Sequence, residues 1–195
     1  MSNLLTLKEN KMEHTPQNLT CTIERLTADI PAREYIERFR NVDYFVELCR
    51  KCSNYGKRYG CPPFAKEELD VINKYEKVWI MGAKIIPNDL TLPLSSANDL
   101  MLPVTNEMND MLLAKEKCLG GHAFGFVGNC PHCGGASCQR IKGKPCLHPD
   151  KVRPSLEAFG FDMCKTASEL LGLDIKWSDG VHVPEYLTLV CGIFY

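Results

Sequence analysis

Lys77–Ile86, KVWIMGAKII, is the run on which the fold turns. It is filled with branched and aromatic side chains and reads as a buried strand that ends at Pro87. Upstream, Leu19–Pro31 reads as another strand. Pro31 then fits the first turn of a helix capped by Asp29, with Tyr35, Ile36 and Phe39 on one apolar face. Asp43 is expected to cap a second helical stretch that delivers Cys49. Ala65–Tyr75 reads as a short amphipathic helix. Downstream, Pro87–Pro103 is loop-like, rich in Pro, Asn, Asp and Ser. Thr105 is expected to cap a helix through Cys118, with Met108, Met111 and Leu112 facing inward and Gly120-Gly121 stopping it. A short strand follows at His122–Asn129. Arg153–Gly160 reads as a turn or two of helix, and Asp162 as the cap of a helix reaching Leu171, closed by Gly172. Asp174–Ser178 and Glu185–Tyr195 read as terminal strands. Residues 1–18 are polar and aperiodic and are expected to be a flexible segment, with 19–195 as one domain. The expected class is α/β or α+β: a mixed sheet with two cysteine-rich metal-binding loops.

Bulk properties narrow the function. The 195 residues are 45% hydrophobic, enough for an ordinary core without disulfide staples. With 23 basic and 24 acidic residues the net charge is −1, so nothing argues for nucleic acid or a membrane surface as partner. Eleven cysteines are the unusual feature. The opening residues, MSNLLTLKENKMEH, lack the apolar core of a signal peptide, and no run is long enough to span a bilayer. A cytoplasmic location is therefore expected, where structural disulfides are rare. Clustered cysteines there point to metal first and redox chemistry second.

The cysteines fall into two sets. The first is Cys49-x2-Cys52-x8-Cys61-Pro-Pro; the second is Cys130-x2-Cys133-x4-Cys138-x7-Cys146. A C-x2-C pair curls around one metal, and further thiolates come from nearby loops. Gly56 and Gly60 permit tight turns around the first set; Gly134, Gly135 and Gly143 do so around the second. The second set can form an all-cysteine zinc site, but the first has three cysteines and no histidine. Iron–sulfur clusters tolerate irregular spacing, and Cys-Pro, as at Cys61-Pro62 and Cys130-Pro131, is common at their ligands. Tyr55, Tyr59, Phe64 and Phe126 would shield such a cluster from water. The first set needs a remote fourth ligand or leaves an iron open. Cys21, Cys118, Cys164 and Cys191 are candidates by elimination, although each also reads as a small hydrophobe on an apolar face.

Other residues invite weaker readings. His132 and His148 sit close enough to the second set to ligate metal or to face its sulfurs. His122 and His182 read as structural. Arg140, Lys142, Lys144, Lys151 and Arg153 form a basic stretch that can offset cluster charge, hold an anionic partner, or simply be solvated. Arg153-Pro154-Ser155 at a helix start can hold an anion through backbone N–H groups, and Glu157 there suits the helix dipole. There is no G-x4-G-K-[ST], G-x-S-x-G or H-E-x-x-H, and no C-x3-C-x2-C trio.

Two motifs together resemble a family of small, cysteine-rich, predicted metal-binding proteins, a domain of unknown function found mainly in anaerobic bacteria and archaea. The first motif is carried by Cys49, Cys52, Tyr55, Gly56, Cys61, Pro62, Pro63 and Phe64. The second is carried by Cys146, Pro149, Arg153, Pro154, Ser155, Glu157, Ala158, Gly160 and Asp162. The resemblance covers roughly residues 45 to 175 and implies metal binding, with iron–sulfur favoured and no settled reaction. Many members carry further cysteines between the positions of Cys138 and Cys146, where this chain has none. The expectation is one or two iron–sulfur clusters, [4Fe-4S] in type, held by Cys49, Cys52 and Cys61 and by Cys130, Cys133, Cys138 and Cys146. Electron transfer with a redox partner protein, or redox chemistry at an open iron, would be the role. A zinc-stabilised structural or interaction protein is the alternative, and a thiol-based metal carrier the third.

Overall fold

The computed structural model describes residues 4–14, 19–128, 130–133 and 138–195, with the backbone alone for 4–14 and 131. Gly134 and Gly135, expected to turn the chain at the second cysteine set, lie outside the described residues, as do 1–3 and 15–18 of the N-terminal segment. Within that segment Leu4–His14 is a strand, β1, paired along the edge of β2 (Thr20–Pro31).

Helices α1 (Ala32–Phe39), α2 (Val42–Arg50) and α3 (Lys66–Leu69) follow, the last running into a 3-10 turn at Asp70–Lys74. Then come β3 (Lys77–Pro87), α4 (Ala97–Leu119), β4 (His122–Phe124), α5 (Met163–Leu171) and β5 (Leu187–Phe194). The sheet runs β1-β2-β3-β5-β4, which places KVWIMGAKII at its centre. Every strand pair is antiparallel, so the class is α+β and the expected mixed sheet is corrected. The physical reason is connection: β3 pairs directly with β2 and β5, and no helical crossover returns a neighbour in the same direction.

Alternation along β3 explains its nearly unbroken apolar composition. Val78 and Ile80 face one core, with Tyr35 and Phe39 of α1, Leu170 and Leu171 of α5, and Phe124, Phe161 and Phe194. Met81, Ala83 and Ile85 face the other, under Leu100, Val104, Met108 and Leu112 of α4. A strand covered by helices on both faces has no solvent side on which to place polar residues. Gly82 lies where α5 presses on the sheet: a Cβ there would sit 2.5 Å from Leu171 Cδ1, so that side chain would have to move.

Several expected boundaries move. Ala97–Leu119 is one helix running through Pro103, where a loop to Pro103 was expected. Proline costs about 3 kcal/mol inside a helix, but Ala97, Leu100 and Val104 are buried at helical spacing and outweigh it at about 1.5–3 kcal/mol per large side chain. Met111 is 43% exposed, so only Met108 and Leu112 of the expected trio face inward. The cap of α2 is Asn41, whose side chain accepts from Tyr44 N–H, while Asp43 sits in the first turn. Asp29 stays in β2 and accepts from the Tyr195 hydroxyl at 3.1 Å; Pro31 itself precedes α1. Asp174–Ser178 is not a strand: it pairs with no strand of the sheet, and Trp177 stands 80% exposed. Asp162 caps α5 by accepting from Lys165 N–H at 2.9 Å, and Gly172 closes it in the left-handed conformation, both as expected. Among the described residues no helix is long and apolar enough to cross a membrane.

Candidate metal centre

The first cysteine set is built at the end of α2. Cys49 lies in its last turn, and Cys52 N–H donates to Cys49 O at 2.9 Å, which curls the C-x2-C pair. A ladder of turns continues to Cys61 N–H, which donates to Arg58 O at 3.1 Å. Gly56, at φ +70°, lets its N–H close the loop onto Pro62 O at 2.8 Å. The Pro62–Pro63 peptide is cis. Burial raises the Cys61 thiol, Cys52 and Cys49 add to the rise, and Arg140 and Arg58 oppose it. These mutual influences place three thiols within one another's fields.

The second set sits on short 3-10 turns, Pro131–Cys133 and Gln139–Lys142. Cys138 is buried at the head of the second turn; Cys130, Cys133 and Cys146 are half-buried. Burial raises the Cys130 thiol, the His132 backbone N–H holds it down, and Cys133, Cys146 and Cys138 push it up. Its four thiols therefore share one neighbourhood. Cys146 Sγ accepts from His148 N–H at 3.4 Å, so both Cys-x-His segments turn an amide onto sulfur. The His132 and His148 rings lie 5.9 Å apart. The seven cysteines of the two sets form no disulfide.

Arg140 fastens one set to the other. Its Nη1 donates to Arg58 O at 2.6 Å and to Cys61 O, and its Nη2 donates to Pro63 O at 2.8 Å. Tyr59 adds a hydroxyl donated to Lys144 O. Arg140 is thus a structural clasp, while Lys142, Lys144 and Lys151 are exposed. Arg153 is also engaged: Nε and Nη2 grip the Glu116 carboxylate at 2.6–2.9 Å. Burial opposes ionisation of Glu116, but Arg153 and the Ala123 N–H outweigh it and hold the carboxyl below its usual range. The expected anion site at Arg153-Pro154-Ser155 is therefore not formed, and the turn behind it, Glu157–Phe159, is three residues long.

A cavity of about 200 Å³ joins the sets. Cys49, Cys52 and Cys61 line it together with Cys130 and His132, and Tyr55, Phe126 and Val152 form apolar wall. Tyr55 and Phe126, two of the rings expected to shield a cluster, line this cavity. Phe64 instead packs on Phe159 with ring centroids 5.1 Å apart. Cys21 and Cys191 are buried in β2 and β5, and Cys118 and Cys164 are exposed, which corrects the apolar-face reading for the latter two. None of the four lines the cavity. His182 pairs with Asp179 at 3.0 Å and His122 packs on Phe124 at 5.1 Å, both structural roles.

Glu157 opens the turn Glu157–Phe159, which at three residues is too short to supply the helix dipole expected there. Glu157 lines the cavity, and burial pushes its carboxyl up to about 7, with Ser155 and its own backbone N–H opposing the rise. The turn that carries it is held tightly. Ser155 Oγ accepts from Ala158 N–H at 3.3 Å, and Asn41 N–H donates to Gly160 O at 2.7 Å. Gly160 has φ +88°, and a Cβ there would meet Val42 Cα at 2.6 Å. The helix that carries Cys49 in its last turn therefore begins seated on the turn that presents Glu157.

The donor chemistry fits a thiophilic metal: two thiol-rich sets, amides aimed at sulfur, and a water-poor wall. Among the described residues no three His, Cys, Asp or Glu side chains already converge as a finished site. Against models of known families, the one described as "Predicted metal-binding protein (DUF2284)" matches residues 37–194, a span that contains both sets and the cavity. No curated protein and no solved structure matches the chain.

Proposed function

The chain belongs to this family of predicted metal-binding proteins, and from that premise we propose that its cysteine sets hold iron–sulfur clusters of the [4Fe-4S] type. The observation that supports iron over zinc is the cavity. A closed structural zinc site leaves no adjoining void, whereas about 200 Å³ bordered by Cys49, Cys52, Cys61 and Cys130 accommodates a multi-atom cluster. Cys130, Cys133, Cys138 and Cys146 would hold one cluster. Cys49, Cys52 and Cys61 would hold a second.

A bound cluster supplies one-electron redox chemistry. The residues around it exclude water through Tyr55 and Phe126 and donate amides to sulfur from His132 and His148. A redox partner protein would approach the exposed lysines and the exposed Ile141 and Leu147 on the loops that carry the second set. Zinc at the second set is the second reading, favoured by the two imidazoles beside its thiols.

Anaerobic purification tests the proposal. Brown protein with broad absorbance at roughly 400 nm and matching iron and sulfide is expected. Colourless protein with stoichiometric zinc would overturn it.

A further inference from the structure

We infer that the fourth donor at the three-cysteine centre is the carboxylate of Glu157. The assignment rests on the reading of that set as a metal centre. Three thiols leave one coordination position unfilled, and the donor must reach the cavity they border. The four outlying cysteines do not line it. Three further thiol, imidazole or carboxylate side chains do: Cys130, His132 and Glu157. Cys130 keeps company with Cys133, Cys138 and Cys146, and the His132 ring faces His148. Glu157 belongs to neither group.

Its surroundings point the same way. Of the cations that line the same cavity, Arg153 is spent on Glu116, Arg58 donates to Asn54 and Lys151 is exposed. A half-buried carboxylate with no ion-pair partner among the described residues is disfavoured in its charged form, and a metal in the cavity offsets that. Its charge reaches the Cys49 thiol. The seating of Val42 on Gly160 and the Asn41–Gly160 hydrogen bond fix the turn against the helix that carries Cys49. A carboxylate keeps the total ligand charge of a four-thiolate site while placing a harder, more exchangeable oxygen at one position. That position, facing the cavity, is where a small donor molecule would enter.

The test compares Glu157→Gln, Glu157→Cys and Cys52→Ser in the full-length chain, loaded anaerobically. Metal content, electron paramagnetic resonance of the reduced protein and release to a chelator are the readouts. Glu157→Gln is expected to release the metal of this centre at least about tenfold faster and to change its resonance. Glu157→Cys is expected to retain the metal with a more sulfur-dominated absorption spectrum. Release and spectra equal to wild type in either Glu157 variant overturn the assignment. Metal content unchanged in Cys52→Ser overturns the metal-centre reading beneath it.

Discussion

The two cysteine sets are built on different architecture. The first grows from a helix end, closes on itself through Gly56 and Pro62, and sits on the core through α2 and Gly160. The second hangs on two short 3-10 turns and gains its place from amides aimed at sulfur and from the Arg140 clasp. The first set is shaped by the fold and has three thiols; the second has four thiols and little scaffold. The contrast teaches that a binding loop can draw order from the protein or from its ligand, and that these two divide the work.

The largest effect should come from breaking the second set alone. Cys138→Ser is expected to remove about half of the bound metal and leave the rest, if the sets are separate centres. Loss of all metal, measured by elemental analysis, would show one shared centre instead. Gly160→Ala attacks the scaffold of the first set. The forced contact with Val42 and the φ of +88° should cost about 3 kcal/mol in a denaturant melt of the metal-free protein. An unchanged midpoint would remove Gly160 as the seat of α2.

Arg140→Ala bears on the link between them. Three hydrogen bonds to carbonyls are lost, and a loss of about 2 kcal/mol is expected, with faster chelator release from both sets. Release altered at the second set only would mean the clasp does not transmit order to the first.

The smallest effect lies outside both sets and serves as a control. Burial lowers the pKa of His122, whose Nε2 has no hydrogen-bond partner, with Glu116 opposing the shift and Arg153 and Lys74 adding to it. The unfolded chain therefore binds the proton more readily. The stability tied to neutral His122 is present above about pH 6.5 and is lost as pH falls through the lowered folded value. His122→Phe should remove this acid-side loss, a gain of about 1 kcal/mol near pH 5, with metal content untouched. A pH profile parallel to wild type would contradict it.

The sheet and the thiol pattern were legible in the chain because both are written in local spacing. KVWIMGAKII announces a buried strand by composition, and C-x2-C announces a hook by its own turn. Asp162 and Gly172 cap α5 as their residue types demand. What escaped was decided at long range. Pro103 signals a break, yet the sheet face beneath α4 holds the helix through it. Glu157 looks like a dipole residue until β4 and α2 fold around its turn and leave its carboxyl in a cavity. Arg140 belongs to a basic stretch in sequence, and only folding shows that it binds carbonyls about eighty positions earlier.

That last separation bears on biosynthesis. Cys49, Cys52 and Cys61 leave the ribosome long before Arg140, so the nascent chain exposes three thiols with no clasp across their loop. Closure of a loop this long waits on the central sheet that brings its ends together. The cleft is therefore a late product of folding, and a delivery factor meeting the finished protein would find the pocket formed, while one meeting the growing chain would find loose thiols only.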